Sequence, residues 1–249
     1  MEEVEADARW RFLELSCSLA RGNADELSDV DVGLGAAEGD WAQTLEAASA
    51  AVTGFGPVVA ILRHDLGWAG PHQRLFVQYE QVQLDLVVFP AKNRKGLPPG
   101  AIALLDRDNL LDQPYVPPTL VAPAERVSEW AFLAWIAVVN ICKYVSRGSN
   151  WEALAQLDQA RGLLWQMWGA RHDLPYPLYG LTTVLDAPEV GLPPGIESTL
   201  AGLDAAEITE AAEQLARILS AIAGEQNSTP MAAYAARRLE ETAQHVRTN

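Results

Sequence analysis

The strongest constraint on the fold of this chain is a change of pattern at Asp112–Pro118, where three prolines occur within five residues. Such a run cannot continue a helix or a central strand, so it marks a linker or a crossing segment. Short apolar runs typical of strands dominate before it, and apolar residues spaced by three and four follow it. The sequence therefore predicts an α+β protein of two domains, residues 1–118 and 119–249.

The two parts differ in the elements that their patterns predict. Strands are predicted at Arg11–Ser16, Val30–Gly35, Pro57–Arg63, Arg74–Tyr79 and Val82–Phe89, the last two as an antiparallel pair. A helix is predicted at Asp40–Val52, with Asp40 as its N-cap. The second part is predicted to form helices at Ala124–Ser146, Trp151–Ala170, Ala205–Ala223 and Pro230–Arg247, with a Pro/Gly-rich loop at Arg171–Gly195.

Composition and charge limit the classes of function. A hydrophobic fraction of 49% with 20% charged residues is typical of a globular protein with a real core. The net charge of −15 argues against a nucleic-acid partner and suits a cationic one. No apolar run approaches the roughly 18–20 residues that span a bilayer, and the acidic N-terminus lacks the pattern of a secretory signal. We therefore expect a cytoplasmic protein without a membrane partner.

Asp29 and Asp31 form an acidic pair at the start of a predicted strand. Alternate residues of a strand project from one face, so the two carboxylates lie side by side and can share a divalent ion. Mg²⁺ prefers oxygen ligands and usually takes one or two carboxylates, while water and substrate phosphate complete its shell. An acidic strand after a polar loop is the alternative, because two aspartates with this spacing often occur by chance.

Two further features favour the metal and phosphate interpretation. The small residues of Ser18–Gly22 precede the acidic pair by one tight loop, in which backbone N–H groups can approach a phosphate and Ser18 adds a hydroxyl donor. Asp85 stands within an otherwise apolar strand, where a buried acid without a partner is costly. The pattern predicts a metal or a cation beside Asp85, and the alternative is an exposed residue on an edge strand.

These residues resemble the motif of the nucleotidyltransferase superfamily with the polymerase-β-like fold. That motif reads Gly-Ser, a loop, Asp-x-Asp and a later lone acid on an apolar strand, and Cys17-Ser18, Asp29-Val30-Asp31 and Asp85 stand in those places. The tract SLARGNADELSDVDV is most similar to the bacterial aminoglycoside adenylyltransferases. The tracts Arg74–Ala91, Leu104–Asp108, Lys143–Gly148 and Trp151–Trp168 resemble the aminoglycoside 6-adenylyltransferase group, so the resemblance covers about two-thirds of the chain.

The resemblance implies an N-terminal nucleotidyltransferase domain with a mixed sheet, a C-terminal helical substrate-binding domain, and an active site between them. It implies that Mg²⁺ is held by Asp29, Asp31 and Asp85, with Asp85 also the catalytic acid nearest the attacking hydroxyl. It assigns nucleotide binding to Ser18, Arg21, Gly22, Lys143 and Arg147. The implied reaction transfers AMP from ATP to a hydroxyl of a small cationic acceptor such as an aminoglycoside and releases pyrophosphate.

Two positions depart from the family pattern. Cys17 stands where the family has glycine, and a side chain there could crowd the phosphates. Ser149-Asn150 follow Gly148 where related proteins often carry an acid, so the general base stays open among Asp85, Glu129 and Glu152, with Asp85 preferred. Two alternatives therefore remain: a degenerate member that binds nucleotide without turnover, and a toxin-like nucleotidyltransferase that modifies a macromolecule, for which the net charge disfavours tRNA.

Overall fold

The structure, a computed structural model, describes residues 2–66, 72–117, 119–223 and 230–248. The chain divides into two compact units, Met1–Val116 and Pro117–Asn249. The predicted boundary residue, Pro118, lies outside the described residues. The first unit is built on a mixed sheet and the second is helical, which confirms the predicted α+β class.

The first unit is organised by a six-stranded sheet in the order β3-β4-β5-β2-β1-β6. Its strands are β1 (Trp10–Leu15), β2 (Val30–Ala36), β3 (Val58–Asp65), β4 (Gln73–Tyr79), β5 (Gln83–Pro90) and β6 (Ile102–Asp106). β2 and β5 run parallel in the middle of the sheet, and the other neighbouring pairs are antiparallel. The strand predictions for β1 to β5 are confirmed, whereas β6 carries no strand signal because its first residues are exposed without alternation.

The first unit also contains α1 (Glu2–Ala6), α2 (Cys17–Arg21) and α3 (Trp41–Gly54). The prediction for α3 is confirmed, including its cap: the Asp40 side chain accepts a hydrogen bond of 3.2 Å from the Gln43 backbone N–H. The predicted tight loop after β1 is wrong in detail, because its residues form the five-residue α2. A helix this short leaves no periodicity in the sequence, and Gly22 ends it in the left-handed conformation at φ 73°.

The two faces of this sheet are covered differently. Alternate residues of β2 and β5, such as Leu34 and Leu86, pack with Ala48 and Val52 of α3 in the main core of the unit. On the opposite face, β1 lays Glu14 and Phe12 across two glycines of β2: a Cβ at Gly33 would lie 2.5 Å from the Glu14 carboxylate, and one at Gly35 would lie 2.2 Å from the Phe12 ring. The face opposite α3 is therefore the one that carries charged side chains.

The second unit consists of α4 (Ala124–Val145), α5 (Asn150–Arg171), α6 (Leu181–Leu185), α7 (Ala205–Ala223) and α8 (Pro230–Thr248). Short 3₁₀ segments lie at Pro177–Tyr179 and Ile196–Thr199, so the predicted long loop after α5 contains helical turns. The four long helices confirm the predicted ones, and their inward faces form a single core that includes Trp135, Ile141, Leu157 and Leu215. Among the described helices, none combines the length and the apolar character needed to cross a membrane.

Candidate functional site

The three predicted acids come together on the sheet face opposite α3. Asp31 of β2 lies directly across from Asp85 of β5 in the parallel ladder. Asp29 immediately precedes β2 and stands two residues from Asp31, which places both on the same face. The register of a single parallel strand pair thus gathers residues that lie more than fifty positions apart in the sequence.

Asp85 is a buried residue on an interior strand, so the alternative of an exposed edge position is wrong. Its relative exposure is 4%, and its cationic partner is Arg74 of the neighbouring strand β4. The Arg74 Nε donates to Asp85 Oδ1 at 2.6 Å, and a second guanidinium N–H donates to the other oxygen. Arg74 also lies over the Phe76 ring, 4.3 Å from its centroid. The bidentate pair satisfies the charge of this buried carboxylate.

Asp31 experiences the opposite electrostatics. Burial raises the pKa of Asp31, and the negative charges of Asp29 and Asp85 raise that pKa further. A hydrogen bond from the Cys17 thiol and the positive charge of Arg74 oppose this shift. A carboxylate whose neighbours disfavour its charge is stabilised by any cation that approaches it, so this position has the electrostatics of a cation site.

Cys17 joins the acidic pair to α2. Its backbone has φ 55°, the left-handed region that favours glycine, and Ser16 before it donates a 2.9 Å backbone hydrogen bond to the Asp31 carbonyl. Cys17 therefore holds the conformation that the family glycine would adopt more readily, a state that costs of order 1–3 kcal/mol for a residue with a side chain. The thiol that departs from the family pattern contacts the predicted metal ligand directly.

The donor set for Mg²⁺ is narrower than the predicted three aspartates. Within the described ranges, no group of three or more His, Cys, Asp and Glu side chains is arranged to hold a metal ion. A reason is apparent, because both oxygens of Asp85 accept from Arg74. Asp29 and Asp31 remain, and two carboxylates are the number that Mg²⁺ usually takes from a protein. These two residues fit the ion, and the role of Asp85 as a ligand stays a prediction.

The predicted phosphate-binding residues lie on α2 and its end. Ser18 is half-buried and Arg21 is exposed. The Gly22 N–H donates to the Leu19 carbonyl at 3.3 Å, and the Asn23 N–H donates to the Ser18 carbonyl at 3.1 Å. These two backbone donors are therefore used within the turn, so a phosphate at α2 would depend mainly on the Ser18 hydroxyl and the Arg21 guanidinium.

Lys143 and Arg147 belong to the second compact unit. The Lys143 ammonium lies at the end of α4, donates to the Asn140 side chain at 2.9 Å and stands 4.3 Å from the centre of the Tyr144 ring. Arg147 is exposed in the turn that follows α4. Glu129 and Glu152, the other candidates for the general base, also belong to this unit, and Glu129 pairs with Arg126 at 2.8 Å. Asp85 alone among the three base candidates lies beside Asp31.

Sequence reasoning missed three charged residues of the same sheet face: Arg74, Glu14 and Arg94. Glu14 of β1 is 4% exposed, and both of its oxygens lie 2.7 Å from one nitrogen of Arg94. Burial raises the pKa of Glu14, although the charge and the hydrogen bonds of Arg94 oppose this shift. Glu14 stands between leucines, as Asp85 does, so the argument that singled out Asp85 also applies to Glu14.

The comparisons with known proteins leave the family of the chain open. No model of a protein family matches the sequence, and no curated protein is similar to it. Among solved structures, the chain is similar to an aminoglycoside 6-adenyltransferase from Bacillus subtilis, with 13% sequence identity and a TM-score of 0.36 over 99% of this chain and 94% of that chain. A likeness at this level assigns neither family nor activity, so the function has to be argued from the site itself.

Proposed function

We propose that the protein is a Mg²⁺-dependent nucleotidyltransferase that transfers AMP from ATP to a hydroxyl of a small cationic acceptor, such as an aminoglycoside, with release of pyrophosphate. One observation supports this proposal above the others. Asp31 faces Asp85 across the β2–β5 pair with Asp29 beside it, and the neighbouring charges disfavour ionised Asp31 until a cation arrives. Phosphoryl-type transfer depends on such acids, because the charge on the phosphates must be neutralised as the bond to the leaving group breaks.

Each residue of the site has a distinct task in this proposal. Asp29 and Asp31 would hold Mg²⁺, which neutralises phosphate charge when bound. The Ser18 hydroxyl and the Arg21 guanidinium would donate to the phosphates that leave as pyrophosphate. Asp85, oriented by Arg74, would accept the proton of the attacking hydroxyl. The attacking oxygen bonds to the α-phosphorus as the bond to the bridging oxygen breaks.

Lys143 and Arg147 would add contacts to the nucleotide phosphates. Lysine supplies a point charge and arginine a planar fork of donors, and both suit phosphate oxygens. The acceptor assignment follows the resemblance of the Ser18–Asp31 tract and the net charge of −15, which attracts a cation.

A second candidate, a nucleotide-binding protein without turnover, is favoured by two specific observations. Cys17 holds a left-handed backbone where a glycine would fit without strain. Arg74 occupies both oxygens of Asp85, which is the residue proposed to accept the proton. Both features are compatible with a site that holds a nucleotide and does not react.

Calorimetric titration of ATP with and without MgCl₂ tests the proposal, followed by a pyrophosphate-release assay across a panel of aminoglycosides. We expect ATP binding that requires Mg²⁺ and falls by about a hundredfold in the Asp29→Ala/Asp31→Ala variant, because two charge-assisted contacts are lost. Glu46→Ala, an exposed acid of α3, is the control and should bind ATP like the wild type. Binding that ignores Mg²⁺ and survives the double substitution contradicts the proposal. Mg²⁺-dependent binding without pyrophosphate release on any acceptor favours the second candidate.

A further inference from the structure

A polar cavity of about 390 Å³ lies beside Asp29. Its lining includes the carboxylates of Glu26 and Asp29 and the amides of Gln78, Gln81 and Gln83, with two apolar side chains. None of these lining residues is Lys or Arg. The cavity has the size of a small-molecule site, and its lining can exchange hydrogen bonds while carrying negative charge.

The register of the sheet makes this cavity a continuation of the acidic site. Gln78 and Gln83 face each other across the antiparallel β4–β5 pair, and Gln83 stands two residues before Asp85. Asp29 stands two residues before Asp31, which is paired with Asp85. Because alternate strand residues share a face, the amides and Asp29 form a row next to the row that contains Asp31 and Asp85.

The cavity and α2 flank the acids from different sides. α2 follows β1, which borders β2 on one side, and the Ser16 N–H bonds the Asp31 carbonyl there. The cavity is formed by the hairpin of β4 and β5, which borders β2 on its other side. In an in-line displacement, the nucleophile enters opposite the leaving group. If pyrophosphate leaves toward Ser18 and Arg21, the hydroxyl arrives from the side of the hairpin.

We propose that this cavity binds the acceptor, and that the acceptor is a small molecule with several hydroxyl and amino groups. This inference rests on the proposed nucleotidyl transfer. Amide side chains donate to and accept from hydroxyls, and the two carboxylates accept from ammonium groups. The Gln78 Nε2 donates to the Tyr79 carbonyl at 2.7 Å, which orients its amide. A polyanionic acceptor finds no positive side chain in this lining.

The test measures acceptor binding by calorimetry in the presence of Mg²⁺ and a non-hydrolysable ATP analogue. The probes are kanamycin, which carries hydroxyls and amines, myo-inositol, which carries hydroxyls alone, and spermidine, which carries amines alone. We expect kanamycin to bind most tightly and Gln83→Leu to weaken it about tenfold, with nucleotide affinity unchanged within about twofold. The exposed Gln81→Leu, which leaves the strands intact, should weaken kanamycin about threefold. Gln43→Leu makes the same change on α3, on the other sheet face, and should alter neither affinity.

Three outcomes would overturn the inference. Kanamycin binding that is unchanged in both Gln83→Leu and Gln81→Leu removes the cavity as the acceptor site. Absence of binding by every probe, or equal binding of inositol or spermidine, removes the proposed chemical class while Mg²⁺-dependent nucleotide binding leaves the proposed function standing. Loss of nucleotide binding in the wild type contradicts the proposed function first, and the acceptor site with it.

Discussion

Two arginine–carboxylate pairs lie on the same sheet face and differ in their surroundings. Each carboxylate side chain is 5% exposed, whereas Arg94 is 19% exposed and Arg74 is 36% exposed. Arg94 stands 5.5 Å from the Phe89 ring and 5.0 Å from the Tyr115 ring, so it joins β1 to the segment that follows β5. We conclude that the Arg94–Glu14 pair is mainly a structural contact.

The Arg74–Asp85 pair has the same chemistry in a more open setting. Arg74 contacts the single ring of Phe76, and its partner Asp85 adjoins the charge of Asp31. The difference shows that the same buried ion pair can serve the fold in one place and a reactive site in another. What separates the two is the presence of further uncompensated acids beside Asp85, not the geometry of the pair itself.

The largest effect is expected from Arg94→Met. The substitution leaves the Glu14 charge buried without a partner, which typically costs roughly 3–5 kcal/mol of unfolding free energy. Urea denaturation followed by circular dichroism measures the change as a lower midpoint. The Arg94→Met/Glu14→Gln variant removes the charge as well and should recover a large part of the loss. A loss below about 1 kcal/mol in the single variant would show that Arg94 is not a structural contact.

Arg74→Met should have a smaller effect on stability and a distinctive response to Mg²⁺. Water reaches Asp85 more easily once this half-exposed arginine is removed, so we expect a loss of roughly 1–3 kcal/mol. A divalent ion can then replace the lost counter-charge beside Asp85, Asp31 and Asp29. MgCl₂ should therefore raise the thermal midpoint of the variant by more than that of the wild type. NaCl at matched ionic strength controls for screening, and an equal shift in both proteins would argue against the cation site.

The sequence allowed the acids to be predicted more readily than their partners. Alternation within β5 placed Asp85 and Leu86 on opposite faces, which required only the local period of a strand. Arg74 lies on the adjacent strand, and its contact with Asp85 depends on the register of the β4–β5 hairpin, which no residue pattern fixed. Glu14 was predictable from its own strand, whereas Arg94 reaches it from a loop after β5.

Helical elements show the same division between local and distant information. The four long helices of the second unit follow from a period that their own residues carry. The five-residue α2 and the exposed strand β6 lack such a period, because tertiary contacts rather than repeated apolar residues stabilise them. The left-handed backbone of Cys17 was equally hidden, although the glycine of the resembling family pointed to that position.

The smallest expected effect is a gain in stability from Asp31→Asn, and its pH dependence sharpens the contrast between the two pairs. The folded pKa of Asp31 is raised, so the folded state binds more protons than the unfolded state between the ordinary and the raised pKa. Stability therefore falls as pH rises through that window. Asparagine removes this penalty, and we expect a gain of about 0.5–1 kcal/mol at pH 7.5 that shrinks toward pH 4.5.

Asp25→Asn in the same loop is a matched control with the opposite sign. Hydrogen bonds from the Leu27 backbone N–H and the Ser28 hydroxyl lower the pKa of Asp25, so its ionised form favours folding and that contribution is lost as pH falls. Urea midpoints at the two pH values should thus move in opposite directions for the two variants. If Asp31→Asn instead destabilises the protein at pH 7.5, as Glu14→Gln is expected to do by leaving Arg94 unpaired, then Asp31 is part of a structural network rather than an open cation site.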